Sequence, residues 1–294
     1  MGMHIGHIAL QVEDIDRSVE HASDTLGLNL RTGGGADGAA LLSANEKHHE
    51  LQLIPSSRAG MDHIGLEVET EAEIEAIKDR AVAAGGTVLS EEPEEPALRA
   101  ALRIEGPADL VFEVYCGMER EPLSLDSVLR PAAQKLGHVT LFSDQKTEIE
   151  GFMTDAFGFR VSDRLGDHAV WMRCDPDHHS FAIGRVESGG TRLHHYAWEL
   201  ESWSSVLTYA DRLAREGQQL LWGPGRHGPG FNIYTYLLDP AGAIVEAYAD
   251  LLQIDNDEVY EAIDWSDEPR ALNLWGPEAP AGFNDHGVPI LGPS

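Results

Sequence analysis

The chain reads as an α+β protein of two tandem modules, each a pair of βαβββ units curved around a cavity. Three observations predict this. Matching motifs recur in order at a nearly constant distance, and strand-like and helical patterns succeed one another in the same order in each half. Aligning the halves also brings two histidines and a glutamate of the second half onto equivalent strand positions.

Near the N-terminus, Gly6-His7-Ile8-Ala9-Leu10 opens an alternating run, and EDIDRSVEHASDTLGLNL then reads as an amphipathic helix ending at Gly27. The design recurs at Gly137-His138-Val139-Thr140-Leu141, followed by a helix through EIEGFMTDAFGF that stops at Gly158. Both offsets are 131 (137 − 6 and 158 − 27). Lys78-Asp79-Arg80 with Gly85 faces Ala210-Asp211-Arg212 with Gly217 at an offset of 132, each on a helical pattern closed by its glycine. Pro107 of EGPADLVFEVY faces Pro240 of LDPAGAIVEAY at 133. Such slow drift over four ordered matches indicates a duplication, with modules at 1–120 and 132–250 and linker-like composition at about 119–135. Residues 251–294 are acidic, then rich in Trp, Pro and Gly. They suit neither helix nor strand, and Trp275 favours an extended tail packed over the body.

Composition excludes several function classes. With 294 residues and a 42% hydrophobic fraction the chain can bury sizeable cores, yet no run approaches the roughly 18 apolar residues of a membrane span. The start MGMHIGHIAL enters a strand pattern without a basic region or cleavage site, which predicts a soluble cytoplasmic protein. Cys116 and Cys174 alone do not make a disulfide scaffold. Against 21 basic residues stand 50 acidic ones, and the net charge of −29 argues against nucleic acid or an anionic membrane as partner. A small-molecule substrate is expected, with a homo-oligomer as the assembly.

The stretch Trp222–Asp250 concentrates the chemistry. It packs Arg226 and His227 into a Gly/Pro-rich loop, then Tyr236 into a strand, turns at Asp239-Pro240-Ala241-Gly242, and returns with Glu246 in IVEAY. That stretch alone leaves Glu246 either outward in solvent or inward with a partner for its charge, such as a metal ion. His138 and His195 occupy matching strand openings upstream, at separations of 57 (195 − 138) and 51 (246 − 195). No single helix or loop gathers residues so far apart, but paired units would turn all three into one cavity. Two histidines and one carboxylate with open positions suit a non-haem Fe(II) centre that takes substrate and dioxygen together. The alternative is that each histidine is an ordinary strand residue.

DPDHHSFAI, RLHHYAWEL and GPGRHGPGFNIYTYLLDPAGAIVEAY carry a further signal. With these pieces in order, the chain resembles the vicinal oxygen chelate superfamily and, within it, the type I extradiol ring-cleaving catechol dioxygenases. The resemblance covers both modules and the tail. It implies that His138, His195 and Glu246 hold Fe(II), with Mn(II) as the other candidate, and that His195 rather than His194 is the ligand. It also implies His179 as the acid-base residue, and alternation along a strand, which lets only one of His178 and His179 face inward, favours His179 by register; it further implies His227 as a hydrogen-bonding group beside the metal and Tyr236 as the contact to the catechol. The implied reaction inserts O2 next to the diol and opens the ring to a hydroxymuconic-semialdehyde type of product. Histidine titrates near neutral pH, and a tyrosine hydroxyl can donate to an ionised catechol oxygen. A glyoxalase-like isomerase or lyase, and a non-catalytic aromatic-binding module, are the alternatives. Trp222, Trp275 and Phe283 offer aromatic walls for an aryl or alkyl substituent, while Arg226 leaves a carboxylated substrate open.

Projected back onto the first module, the triad becomes His7, His63 and Glu113, and His48-His49 faces His178-His179. The resemblance implies a catalytically silent first module, so a retained ligand set is a departure from it. At an offset of 133, Arg103 and Glu94 face Tyr236 and His227. The groups needed for catalysis are therefore missing there, and a metal-binding vestige is the reading left open.

Overall fold

The computed structural model describes residues 2–31, 38–123 and 133–293. Most of the expected linker lies outside the described residues, as does Ala132 at the expected start of the second module. Four βαβββ units succeed one another. The first comprises β1 (His4–Val12), α1 (Ile15–Glu20), β2 (Asn29–Arg31), β3 (Ala40–Ser43) and β4 (Leu51–Pro55). The second comprises β5 (Gly60–Glu67), α2 (Glu71–Ala83), β6 (Thr87–Ser90), β7 (Ala100–Glu105) and β8 (Val111–Cys116). In the second half, β9 (Lys135–Ser143), α3 (Lys146–Phe157), β10 (Arg160–Leu165), β11 (Ala169–Arg173) and β12 (Phe181–Arg185) form the third. The fourth is β13 (Arg192–Glu199), α4 (Trp203–Arg215), β14 (Trp222–Arg226), β15 (Ile233–Leu238) and β16 (Ile244–Ala249).

Local chemistry sets the helix ends. Thr70 and Glu73 form a reciprocal capping box at the start of α2, and Gly158 ends α3 in the left-handed region at φ 76°, where a side chain would be strained. The first expected helix is shorter than its apolar pattern: α1 is followed by a wider turn of helix over His21–Thr25 before Gly27.

Within each module two units join edge to edge. The sheet order is β2-β3-β4-β1-β5-β8-β7-β6 in the first module, and β14-β15-β16-β13-β9-β12-β11-β10 in the second. The central pairs β1–β5 and β9–β13 are antiparallel, while the first and last strands of every unit pair in parallel. Helices α2 and α3 pack against each other where the modules meet. There Phe157 lies 4.9 Å from Phe112 and 5.4 Å from Phe152 between ring centroids. Arg80 Nε donates to the Ala156 carbonyl at 3.0 Å, and Glu50 accepts the Leu136 N–H at 3.2 Å, so polar bonds also cross the seam. Most buried apolar residues of both modules form one continuous core, with a smaller cluster apart from it in each module.

The tail departs from the expectation that it would hold no strand. Ile263–Asp264 (β17) pairs with β10, and Val288–Pro289 (β18) pairs with β13. Each is two residues long, too short for its composition to signal. The tail also reaches the first module, where Leu291 N–H donates to the Met61 carbonyl at 2.9 Å. No helix among the described residues is long and apolar enough to cross a membrane.

Candidate metal centre

Strand register brings the second-half residues together. Across β9, β13, β16 and β15, His138 stands opposite Ala197, Ala197 opposite Glu246, and Glu246 opposite Tyr236. Residues in one such row share a sheet face. His195, two residues from Ala197, shares it too. Its Nε2 lies 3.3 Å from Glu246 Oε2, and His138 Nε2 lies 3.1 Å from the same oxygen. Ligand atoms of all three lie within 4.8 Å of one another, and all three residues are buried. Glu246 therefore points inward. Its other oxygen, Oε1, accepts from Asn232 Nδ2 at 3.0 Å, which turns Oε2 toward the histidines.

The outer histidine of the pair fixes the tautomer of the inner one. A carbonyl can only accept, so His194 Nε2 donates to Phe283 O at 3.1 Å. Burial first, offset in part by that bond, lowers His194 to about 4, so at neutral pH its Nδ1 carries a lone pair. His195 Nδ1, 2.7 Å away, must then donate, which leaves its Nε2 lone pair facing Glu246. A lone pair 3.3 Å from a buried carboxylate oxygen repels it unless a cation stands between them. The donor set thus fits a divalent metal ion, and His194 faces away from it as expected. Burial raises the Glu246 pKa, but the neighbouring His138 and further partners outweigh it and hold the carboxyl below its ordinary value.

His227 and Tyr236 form a second pair. His227 Nδ1 donates to the Leu272 carbonyl at 2.7 Å, and its Nε2 lies 2.9 Å from the Tyr236 hydroxyl. Burial first, then the Glu246 charge, push the Tyr236 phenol well above its ordinary value, so it stays protonated and donates to His227. Burial lowers His227 as well. His179 is buried with its ring 4.4 Å from that of His138, and burial first, then His138, lower its pKa well below the ordinary value. His178 and His179 lie in the segment between β11 and β12 rather than on a strand, so strand alternation does not choose between them. Contact does. His178 Nε2 lies 3.1 Å from the Asp163 carboxylate, away from the triad, while its Nδ1 lies 3.1 Å from His179 Nδ1.

His138, His179, His195, His227, Tyr236 and Glu246 all line one cavity of about 360 Å³. Trp171, Leu165, Ile183, Trp222 and Phe283 give it apolar walls, and Trp222 stacks on Tyr236 at 5.8 Å between centroids. Trp275 is 52% exposed and not among the lining residues, which corrects its assignment to a wall. Its composition-based reading failed because this turn buries Ala271 and Asn273 and leaves the Trp275 side chain outside. Arg226 is not among the lining residues either.

Sequence reasoning missed Asn232, Asp163, and the carbonyls of Leu272 and Phe283. A backbone carbonyl leaves no mark in sequence, and Asp163 lies in a strand otherwise read only by pattern. In the first module His7, His63 and Glu113 do converge, and Arg103 stands opposite Glu113 as Tyr236 stands opposite Glu246. Glu94 is not the inward group, since its side chain is 49% exposed; the buried neighbour Glu95 takes that place.

Comparison with known proteins gives the family. The sequence profile described as the Glyoxalase/Bleomycin resistance protein/Dioxygenase superfamily matches residues 4–114 and 135–247. The chain belongs to this superfamily. It is 29% identical over 301 residues, 94% of this chain and 95% of the other, to a manganese-dependent 2,3-dihydroxybiphenyl 1,2-dioxygenase of Geobacillus genomosp. 3. It is 24% identical to an iron-dependent extradiol dioxygenase of Rhodococcus jostii (strain RHA1), over 95% of this chain and 98% of that one. Among solved structures, the Mn(II)-bound glyoxalase from Novosphingobium aromaticivorans superposes with a TM-score of 0.84 at 28% identity, covering 94% of this chain and 92% of that one. The α+β class and the two tandem modules read from the sequence hold. The names of these two dioxygenase relatives are in keeping with the resemblance read from the motifs.

Proposed function

We propose that the chain is an extradiol dioxygenase that opens the ring of a catechol beside its diol, using a divalent metal held by His138, His195 and Glu246. One observation carries the reading: the triad shares a cavity with His179 and with the His227–Tyr236 pair. When bound, Fe(II) or Mn(II) acts as a Lewis acid that favours ionised catechol oxygens and gathers substrate and dioxygen. The side chains around it have separate tasks.

His179 turns its Nδ1 to His178 Nδ1 at 3.1 Å, which leaves its Nε2 for the cavity it lines. His179 Nε2 is then the base that takes a catechol proton and later returns it. Tyr236 turns its hydroxyl proton from His227 to a catechol oxygen, and His227 Nε2 accepts or donates beside it according to its protonation. The apolar walls exclude water and suit a ring with an aryl or alkyl substituent, while Arg185 in the lining leaves a carboxylated one open. In this reading the first module is non-catalytic, because Arg103 stands where Tyr236 does.

The glyoxalase among the structural neighbours favours one other reading, an isomerase or lyase using the same triad. Anaerobic reconstitution with Fe(II) or Mn(II), then a catechol panel and air, separates the two. The dioxygenase reading expects oxygen uptake matched to a yellow ring-fission product. Absence of both signals across the panel, with the metal bound, would overturn it.

A further inference from the structure

The first module holds a second set of convergent donors. In its central row His7 stands opposite Gly65, Gly65 opposite Glu113, and Glu113 opposite Arg103. This repeats the row His138, Ala197, Glu246, Tyr236 of the second module. His63, two residues from Gly65, joins as His195 does. The segment before β7 adds a fourth group, Glu95, for which the second module offers only Gly228 at the same offset of 133.

His7 Nε2 lies 3.0 Å from His63 Nε2, 3.6 Å from Glu113 Oε2 and 3.7 Å from Glu95 Oε2, and His63 Nε2 lies 3.0 Å from Glu95 Oε1. All four residues are buried, and their ligand atoms lie within 4.8 Å of one another. Metal bonds of about 2.0–2.2 Å meeting at about 90–110° put neighbouring donors about 2.9–3.6 Å apart. The cluster thus has close to the spacing of a coordination shell.

Its supporting hydrogen bonds hold the side chains in place. His63 Nδ1 lies 2.8 Å from the Asp62 carboxylate and donates to it, while Gln11 Nε2 holds the other Asp62 oxygen at 2.8 Å. With Nδ1 so engaged, His63 turns its Nε2 toward the cluster, the carboxylate–histidine arrangement that supports metal ligands. Glu113 Oε1 accepts from Arg103 Nε at 3.1 Å, but Oε2, the oxygen nearer His7, is buried with no hydrogen-bond partner. A buried oxygen left without a partner is costly, and a metal ion at this point would relieve it.

We propose that His7, His63, Glu95 and Glu113 bind a second divalent first-row metal ion in a structural site. Four protein donors complete a tetrahedral shell and leave no position for substrate or dioxygen. Arg103 pairs with both carboxylates, at 3.1 Å to Glu113 and 3.4 Å to Glu95, and offsets their charge. Imidazole and carboxylate in a closed tetrahedral shell suit Zn(II). The site is independent of the catalytic reading, since none of its residues belongs to the second module.

Equilibrium dialysis of the purified full chain against Zn(II) or Mn(II), with elemental analysis, tests this. Two ions per chain are expected in the wild type, one in His138→Ala, and none in the His138→Ala/Glu95→Gln double variant. Saturation of the folded wild type at one ion, with none left in His138→Ala, would overturn the proposal, leaving Arg103 and a proton among the histidines as the counter-charges. Two ions in the wild type with one retained in the double variant would overturn the assignment of Glu95. The wild-type stoichiometry decides even if a variant does not fold.

Discussion

At the scale of single residues, the histidine pairs work as oriented couples. In His194-His195 the outer ring is tied to a carbonyl that can only accept, so the inner ring must present an unprotonated nitrogen to Glu246. His194 contributes no ligand atom, yet it sets the one that matters. His194→Phe keeps an aromatic ring edge-on to Phe283 but removes the acceptor, so metal affinity should fall about 10–100-fold, as losses of such supporting partners do. Metal titration of the purified variant checks this; an unchanged affinity would mean that His195 selects its tautomer without His194.

At the scale of elements, the last forty residues are a strap across the second sheet. Asp163 on β10 accepts from Trp265 Nε1 at 2.7 Å, from the Ile263 N–H at 2.8 Å and from the Tyr260 hydroxyl at 3.1 Å, and it faces His178. Further along, the strap supplies the carbonyls of Leu272 and Phe283 to His227 and His194. Asp163→Ala would leave these donors without their acceptor. A loss of about 1–3 kcal/mol is expected, the scale for leaving hydrogen-bonding groups without their partner. Chemical denaturation reads it, and a loss under about 1 kcal/mol would contradict the strap's role.

These two scales also explain what could be read in the sequence. Strand units and ligand positions were legible because duplication writes them twice, at offsets that drift by only two residues. The resemblance then separated His195 from His194, which spacing does not, while His179 was favoured over His178 by a strand alternation that their segment does not have. What stayed hidden was tertiary: two backbone carbonyls, Asp163 on an unremarkable strand, and Glu95 in an acidic run that reads as a solvated loop. Trp275 misled because a large aromatic side chain in a tail signals burial only on average.

At the scale of the whole molecule, the modules are fused rather than linked. Phe157 of the second module packs on Phe112 of the first, and the core runs through both. Heating metal-free protein should therefore give one cooperative unfolding transition. Phe157→Ala should lower stability by about 3–5 kcal/mol and shift that transition as a unit. Calorimetry showing two separated transitions would mean that the modules are thermodynamically independent. The shared core also holds α2 and α3 behind the sheets, which leaves the concave face of the second sheet free for chemistry.

The central claim is that one cavity divides its labour, with His138, His195 and Glu246 holding the metal and His179 moving the proton. Metal content and oxygen uptake measured together on His179→Asn test it most directly. The account predicts full metal occupancy at the catalytic triad and a turnover reduced by about 10²–10⁴-fold, the usual worth of a positioned acid-base group. Loss of the metal together with activity, or turnover unchanged with the metal in place, would contradict it.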